Sequence, residues 1–292
     1  IRSPHFIPTF MVEKSKKWES GKKCFFFFQG KLHFYIMILH PHELTTSAFA
    51  PFGQVIAAGT AATSEANQGT AARFDALAIL ENHRPHAKSN VCLFRSAQRP
   101  LEKFPGVTAG ERKGSSTSNS CNSSNSSNSN IRQEESGSDR CHRQQEEPLF
   151  FRVRLLERHP YSSQMFVPMN CQKRWLVVVA LSKKESDGVD VCQEGNAGPD
   201  LSTMRAFMAR DDQGLNFAAG VWHHPLIALE SATDFACVVH EDGTKDDCHV
   251  IELLDYDHDP GQQQAENGKR SQRLVLVQVP PLNEERLIVN KL

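Results

Sequence analysis

Arg174-Trp175-Leu176-Val177-Val178-Val179-Ala180-Leu181 is a near-continuous apolar run dominated by β-branched residues. A run of this kind reads as a strand with both faces buried, because no position is reserved for water. Short strand signals repeat around it. Downstream lie Arg205–Ala209, Leu226–Glu230, Asp234–His240, Cys248–Leu254 and a last one at Leu274–Val279. Upstream, Phe150–Glu157 partly alternates, Ser163–Pro168 is amphipathic, and Gln54–Ile56 and Asn90–Arg95 are shorter strands. Turn pairs such as Asp187-Gly188 and Asp242-Gly243 separate them. The pattern predicts an all-β sandwich or barrel with few helices. One short helix is expected where Thr45 or Thr46 supplies an N-cap and Gly53 a stop.

The chain has 292 residues, enough for one large domain or two small ones. Lys and Arg number 33 against 34 Asp and Glu, a net charge of −1, so neither nucleic acid nor an anionic membrane is favoured as a partner. The eight cysteines show no C-x-x-C pair or zinc-ribbon spacing, which fits scattered reduced thiols better than a disulfide framework. Residues 1–35 read as a non-domain extension, with lysines ahead of Cys24-Phe25-Phe26-Phe27-Phe28 and no cleavage site after them. Residues 36–258 form a single domain, interrupted at 107–147 by a Ser/Asn-rich insert whose composition predicts disorder. Residues 259–292 are a C-terminal polar stretch that includes the expected last strand at Leu274–Val279.

Two segments concentrate groups able to do chemistry. Gln213 to Leu226 packs two glycines, Asn216, Trp222, His223 and His224 between apolar segments, which suggests a pocket wall. Pro225 disfavours helix for His224, and in an extended chain adjacent side chains point to opposite faces. One imidazole of the doublet is therefore expected in a pocket, with Trp222 accompanying His224 and Val221 accompanying His223. In the second segment Glu157 and His159 stand two apart at a strand end, on one side of the sheet. That spacing suits a base-and-orienter pair, two metal ligands, or a surface ion pair. Gln164 on the next strand reaches the same pocket or pairs with backbone. Arg73, after the Asn67-Gln68-Gly69 turn, is either a carboxylate clamp or an exposed guanidinium.

Taken together, Leu155-Leu156-Glu157-Arg158-His159-Pro160, Ser163 to Met169, Pro199 to Phe207, Gln213 to Phe217 and Gly220-Val221-Trp222-His223-His224-Pro225-Leu226 resemble the ureidoglycolate lyase family. The resemblance runs from about Ile36 to Leu254, with Ala48 to Ile56 and Asn67 to Arg73 matching more loosely. It implies a cupin-like jelly-roll β-barrel, a homodimer, and cleavage of (S)-ureidoglycolate to glyoxylate and urea in allantoin and purine degradation. It also implies a catalytic set of His159, His223, His224 and Glu157, in which His159 and His224 or His223 share the proton transfers and Glu157 orients His159. Arg73 would then hold the substrate carboxylate, Gln164 and Asn216 the ureido end, and Trp222 would exclude water. No cofactor is assigned: Glu157 stands where a cupin H-x-H motif has its first His, and a divalent metal ion on His159, Glu157 and either His224 or His223 stays open. The alternatives are a cupin-type metalloenzyme of different chemistry, such as a dioxygenase or isomerase, and a non-catalytic barrel for small carboxylates. Cytoplasm is the expected compartment. The peroxisome is the alternative, since Asn290-Lys291-Leu292 differs at one position from an S-K-L address.

Overall fold

The computed structural model describes residues 12–17, 23–29, 32–104, 147–169, 173–183, 198–253 and 271–281. Most of the Ser/Asn-rich insert and most of the 259–273 stretch lie outside the described residues. Strands dominate, and the one α-helix among the described residues is Thr46–Phe49, capped by Thr45, whose hydroxyl accepts from Ala48 N at 3.2 Å. No helix among the described residues is long and apolar enough to cross a membrane.

Three sheets stack as layers. The central sheet runs in the order His249–Glu252, Leu155–Arg158, Trp222–His223, Trp175–Ser182, Pro199–Ala209 and His42–Glu43. A front sheet holds Gly53–Ile56, Gly214–Phe217, Gln164–Met169, Thr233–Glu241 and Lys88–Ser96. A back sheet holds Val12–Lys17, Lys23–Gln29, Leu32–Leu39, Ser271–Val279 and Leu149–Val153. The fold is all-β, in keeping with a cupin-like architecture, and among the described residues no sheet closes into a barrel.

The Trp175–Ser182 strand explains its own composition. Trp175, Val177 and Val179 pack forward with Phe166, Leu215, Phe217 and Phe235. Leu176, Val178 and Ala180 pack backward with Met37, Phe151, Val275 and Val277. Each fully buried valine contributes about 1.5–3 kcal/mol, so neither face tolerates a polar residue.

Backbone strand pairing extends into residues 1–35. Lys23–Gln29 pairs antiparallel with Leu32–Leu39, and the latter pairs in parallel with Ser271–Val279. An aromatic run has high strand propensity, and an adjacent sheet edge supplies the hydrogen-bonding partner it needs. Gly53 is fixed by a close approach: at φ +144° any Cβ would stand 1.9 Å from the Asn216 carbonyl oxygen.

Candidate active site

The site forms at one end of the interface between the central and front sheets. Leu156 faces the back layer, so the two-residue strand period turns Glu157 and then His159 to the front. Glu157 is paired in register with His223 on the neighbouring strand, and a carboxylate oxygen lies 3.6 Å from His223 Nε2. His159 lies nearly parallel to His223, with ring centroids 5.9 Å apart. One potential ligand atom from each of Glu157, His159 and His223 lies within 4.8 Å of the others. From the front sheet Gln164 projects its Oε1 to 3.1 Å from His223 Nε2. Phe217 stacks on the other face of His223 at 4.0 Å.

Hydrogen bonding fixes the state of His223. Its Nδ1 lies 3.0 Å from the Val221 carbonyl, which can only accept, so Nδ1 carries the proton and Nε2 presents a lone pair to the cluster. Gln164 Oε1, also an acceptor, is satisfied at Nε2 only in the imidazolium form. Burial holds His223 at a pKa of about 3, reinforced by repulsion from His159 and His224 and opposed by the Val221 carbonyl. Burial also lowers His159, against the pull of the Asp247 backbone and the Glu241 and Asp247 carboxylates. Its Nδ1 is buried without a hydrogen-bond partner. Glu157 moves the other way, raised by burial to about 7. It is the one member of the trio with sizeable exposure, 22% of its side chain, so it marks the entrance.

The structure divides the expected site residues. It gathers Glu157, His159, His223 and Gln164. His224 is turned to the back layer, its ring edge-on to Phe151 at 5.1 Å and its Nδ1 donating to the Pro225 carbonyl at 2.7 Å. Trp222 lies in that layer too, under the Arg158 guanidinium at 4.7 Å, and does not wall the cluster. The two imidazoles thus leave the strand on opposite faces, and His223 is the one on the side of His159. Of the two histidines open as a third metal ligand beside His159 and Glu157, it is His223 whose ring lies with them. Asn216 is paired with Met165 and Gln164 with Phe217, so Asn216 faces away from the cluster; it donates to Gln54 Oε1 at 2.7 Å and to the Ile79 carbonyl at 3.0 Å. Phe217 takes the place expected of it, a position that polarity alone passes over. Arg73 sits on a separate two-stranded ribbon, Ser64–Ala66 with Ala71–Arg73, with 65% of its side chain exposed and its Nε 2.7 Å from Asp75. The ribbon's turn, with positive φ at Asn67, Gln68 and Gly69, carries the guanidinium outward, not into the cluster.

An all-β layered fold with a buried carboxylate–imidazole–imidazole cluster defines a small-molecule site suited to proton transfer. Residues 36–256 match the family model described as ureidoglycolate lyase, and this chain belongs to that family. Among its relatives, the ureidoglycolate lyase of Burkholderia cepacia is 31% identical over 216 residues, covering 74% of this chain and 86% of that protein. That of Brucella melitensis biotype 2 is 30% identical over 223 residues, 76% and 93% of the two chains. A ureidoglycolate lyase of Salmonella paratyphi B is 44% identical over 98 residues, 34% of this chain and 51% of that one.

Proposed function

We propose that this chain is a ureidoglycolate lyase and that Glu157, His159, His223 and Gln164 form its active site. The observation that carries the reading is the Glu157 carboxyl, held near neutrality by burial and placed beside two uncharged imidazoles. Ureidoglycolate is a carbinolamine bearing a carboxylate. Its cleavage moves the hydroxyl proton off oxygen as the carbonyl forms, breaks the C–N bond, and delivers a proton to the departing urea nitrogen.

A group with a pKa near the working pH performs both transfers best, and that group is Glu157. It takes the hydroxyl proton as a carboxylate and returns it to the urea nitrogen as a carboxylic acid, so the proton count closes. The His223 Nε2 lone pair receives a hydrogen bond from the substrate, and the Val221 carbonyl holds it in that tautomer. His159, also disfavoured as a cation by burial, orients the hydroxyl from the other side. The products are glyoxylate and urea, and the acting species is taken as a cytoplasmic homodimer.

A second reading is favoured by the partnerless buried Nδ1 of His159. Glu157, His159 and His223 have the donor chemistry and the spacing to hold a divalent cation. Such an ion would supply the positive charge that the substrate carboxylate requires and that no side chain of the trio provides. Gln164 then orients the bound substrate, and Phe217 keeps the His223 ring in place.

Following urea, glyoxylate and ammonia from racemic ureidoglycolate tests the activity. Urea and glyoxylate in equal amounts are expected, and ammonia in place of urea would sink the lyase reading. Exhaustive chelation with metal analysis separates the two forms of the site: full activity in metal-free protein leaves Glu157 as the base, and loss restored by a divalent metal supports the second.

A further inference from the structure

Residues 79–87 form a strap without regular secondary structure that contacts three loops attached to the site. The first loop, Pro160 to Ser163, joins His159 to Gln164. Here Glu81 N donates to Ser163 Oγ at 2.8 Å, Ser163 N donates to the Glu81 carbonyl at 3.1 Å, and His83 N donates to the Tyr161 carbonyl at 2.8 Å. The second, Ala218 to Val221, joins Phe217 to the Trp222–His223 strand. Ala219 N donates to Glu81 Oε2 at 2.6 Å, and the next residue, Gly220, donates its N–H to the His159 carbonyl at 2.8 Å. The third, Asp242 to Cys248, leads into the strand that pairs with Glu157 and Arg158.

Arg84 fastens this third loop. Its Nη1 lies 2.6 Å from Asp242 Oδ2, 2.9 Å from Thr244 Oγ1 and 3.2 Å from Asp247 Oδ1, while its guanidinium carbon sits 3.9 Å above the Tyr161 ring. Only 13% of its side chain is exposed, with 9% for Asp242 and 14% for Asp247, so this is not a loose surface pair. Asp247 is held in turn by the Asp242 and Gly243 N–H groups, and its backbone lies against His159. A planar guanidinium can bind several oxygens in fixed geometry while stacking on an aromatic ring, which an ammonium cannot do.

We propose that Arg84 and Glu81 are positioning residues of the active site, setting the placement of His159 through the loops that carry it. Neither touches the reacting atoms. Arg84 fixes Asp247 and Tyr161 on one side of His159, and Glu81 fixes the Ala219-Gly220 turn that holds the His159 carbonyl on the other. This assignment rests on the active site proposed above. Displacing a catalytic group by about 1 Å costs on the order of 100-fold in rate, so small shifts of these loops are legible in turnover.

The test compares Arg84→Gln, Arg84→Lys, Glu81→Leu and the distant ion-pair variant Arg95→Gln with the parent protein. Urea release is measured as separate kcat and KM, together with the melting temperature. Arg84→Gln and Glu81→Leu should lose about 100-fold in kcat with KM within threefold, in protein still folded at the assay temperature. Arg84→Lys should recover part of kcat, and Arg95→Gln should match the parent. A kcat within twofold of the parent for both Arg84→Gln and Glu81→Leu overturns the proposal, as does a loss confined to KM. If Arg84→Gln does not fold, Thr244→Val, which removes one of its contacts, carries the same comparison. His223→Ala measured alongside separates the two levels. An inactive His223→Ala beside a fully active Arg84→Gln rejects only the positioning role, whereas an active His223→Ala rejects the site itself.

Discussion

His223 and His224 are neighbours in the chain and occupy different layers of the protein. His223 stacks on Phe217 between the central and front sheets, and His224 meets Phe151 between the central and back sheets. Extended backbone forces the division, since successive side chains leave a strand in opposite directions. Substitution should therefore separate them. His223→Ala is expected to lower kcat/KM by about 100-fold, through loss of the hydrogen bond that its Nε2 accepts from the substrate and of the placement it gives. His224→Phe, which keeps a ring against Phe151, should stay within threefold. Equal losses in the two variants, measured by urea release, would contradict the assignment.

The pH dependence of activity should report Glu157. With its pKa raised to about 7 by burial, the carboxylate needed as base is depleted as pH falls through 7. In metal-free protein kcat/KM is expected to drop about tenfold per pH unit below that point. Glu157→Gln should remove nearly all activity and abolish the inflection in what remains. An inflection near 4.5 in the parent protein would show that burial does not set the value.

Stability should also fall with pH, through His224. Its pKa lies at about 4, below the ordinary 6.5, because burial disfavours the imidazolium. The unfolded chain takes up this proton first. The contribution of His224 is thus complete above pH 6.5 and is lost as pH falls toward 4. Glu157, raised in the fold, changes in the contrary direction but is common to both proteins being compared. His224→Phe should therefore melt several degrees closer to its neutral-pH value at pH 5 than the parent does. Parallel melting curves across that range would refute the burial argument.

Two glycines with positive φ should differ sharply on replacement by alanine. At Gly53 the new Cβ would collide with the Asn216 carbonyl oxygen, which belongs to a paired strand and cannot retreat without breaking the front sheet. At Gly243 no heavy atom lies within 4 Å, leaving only the left-handed backbone. Gly53→Ala is expected to cost about 3 kcal/mol or more. Gly243→Ala should cost about 1–2 kcal/mol. Denaturant unfolding measures both, and similar values would mean that the clash is relieved by backbone movement.

Arg73 gives a direct check on the ribbon. Since its guanidinium is exposed and paired with Asp75, Arg73→Ala should leave KM for ureidoglycolate within threefold. A tenfold rise in KM would mean that the ribbon folds over the cluster when substrate binds.

By itself the sequence determined the class of fold and pointed to the residues of the proposed site. Period-2 patterning, β-branched runs and turn pairs are local signals, so strands such as Gly53–Ile56, Leu149–Val153, Gln164–Met169, Trp175–Ser182, Thr233–Glu241 and Ser271–Val279 were legible, and so was the opposed facing of His223 and His224. Glu157 and His159 were legible for the same reason, being two apart on one strand. Only the tertiary structure decided which imidazole enters the site, because facing is relative until register fixes a strand against its neighbours: Glu157 on His223, and Gln164 on Phe217. The same registers turned Asn216 and Trp222 away from the cluster and left Arg73 on its ribbon. The strap was invisible for a further reason. Arg84 meets Asp242 and Asp247 across 158 and 163 residues of chain, and contacts that distant have no local periodicity to announce them. Residue type and spacing select the chemistry, and the pairing of distant strands selects the residues that perform it.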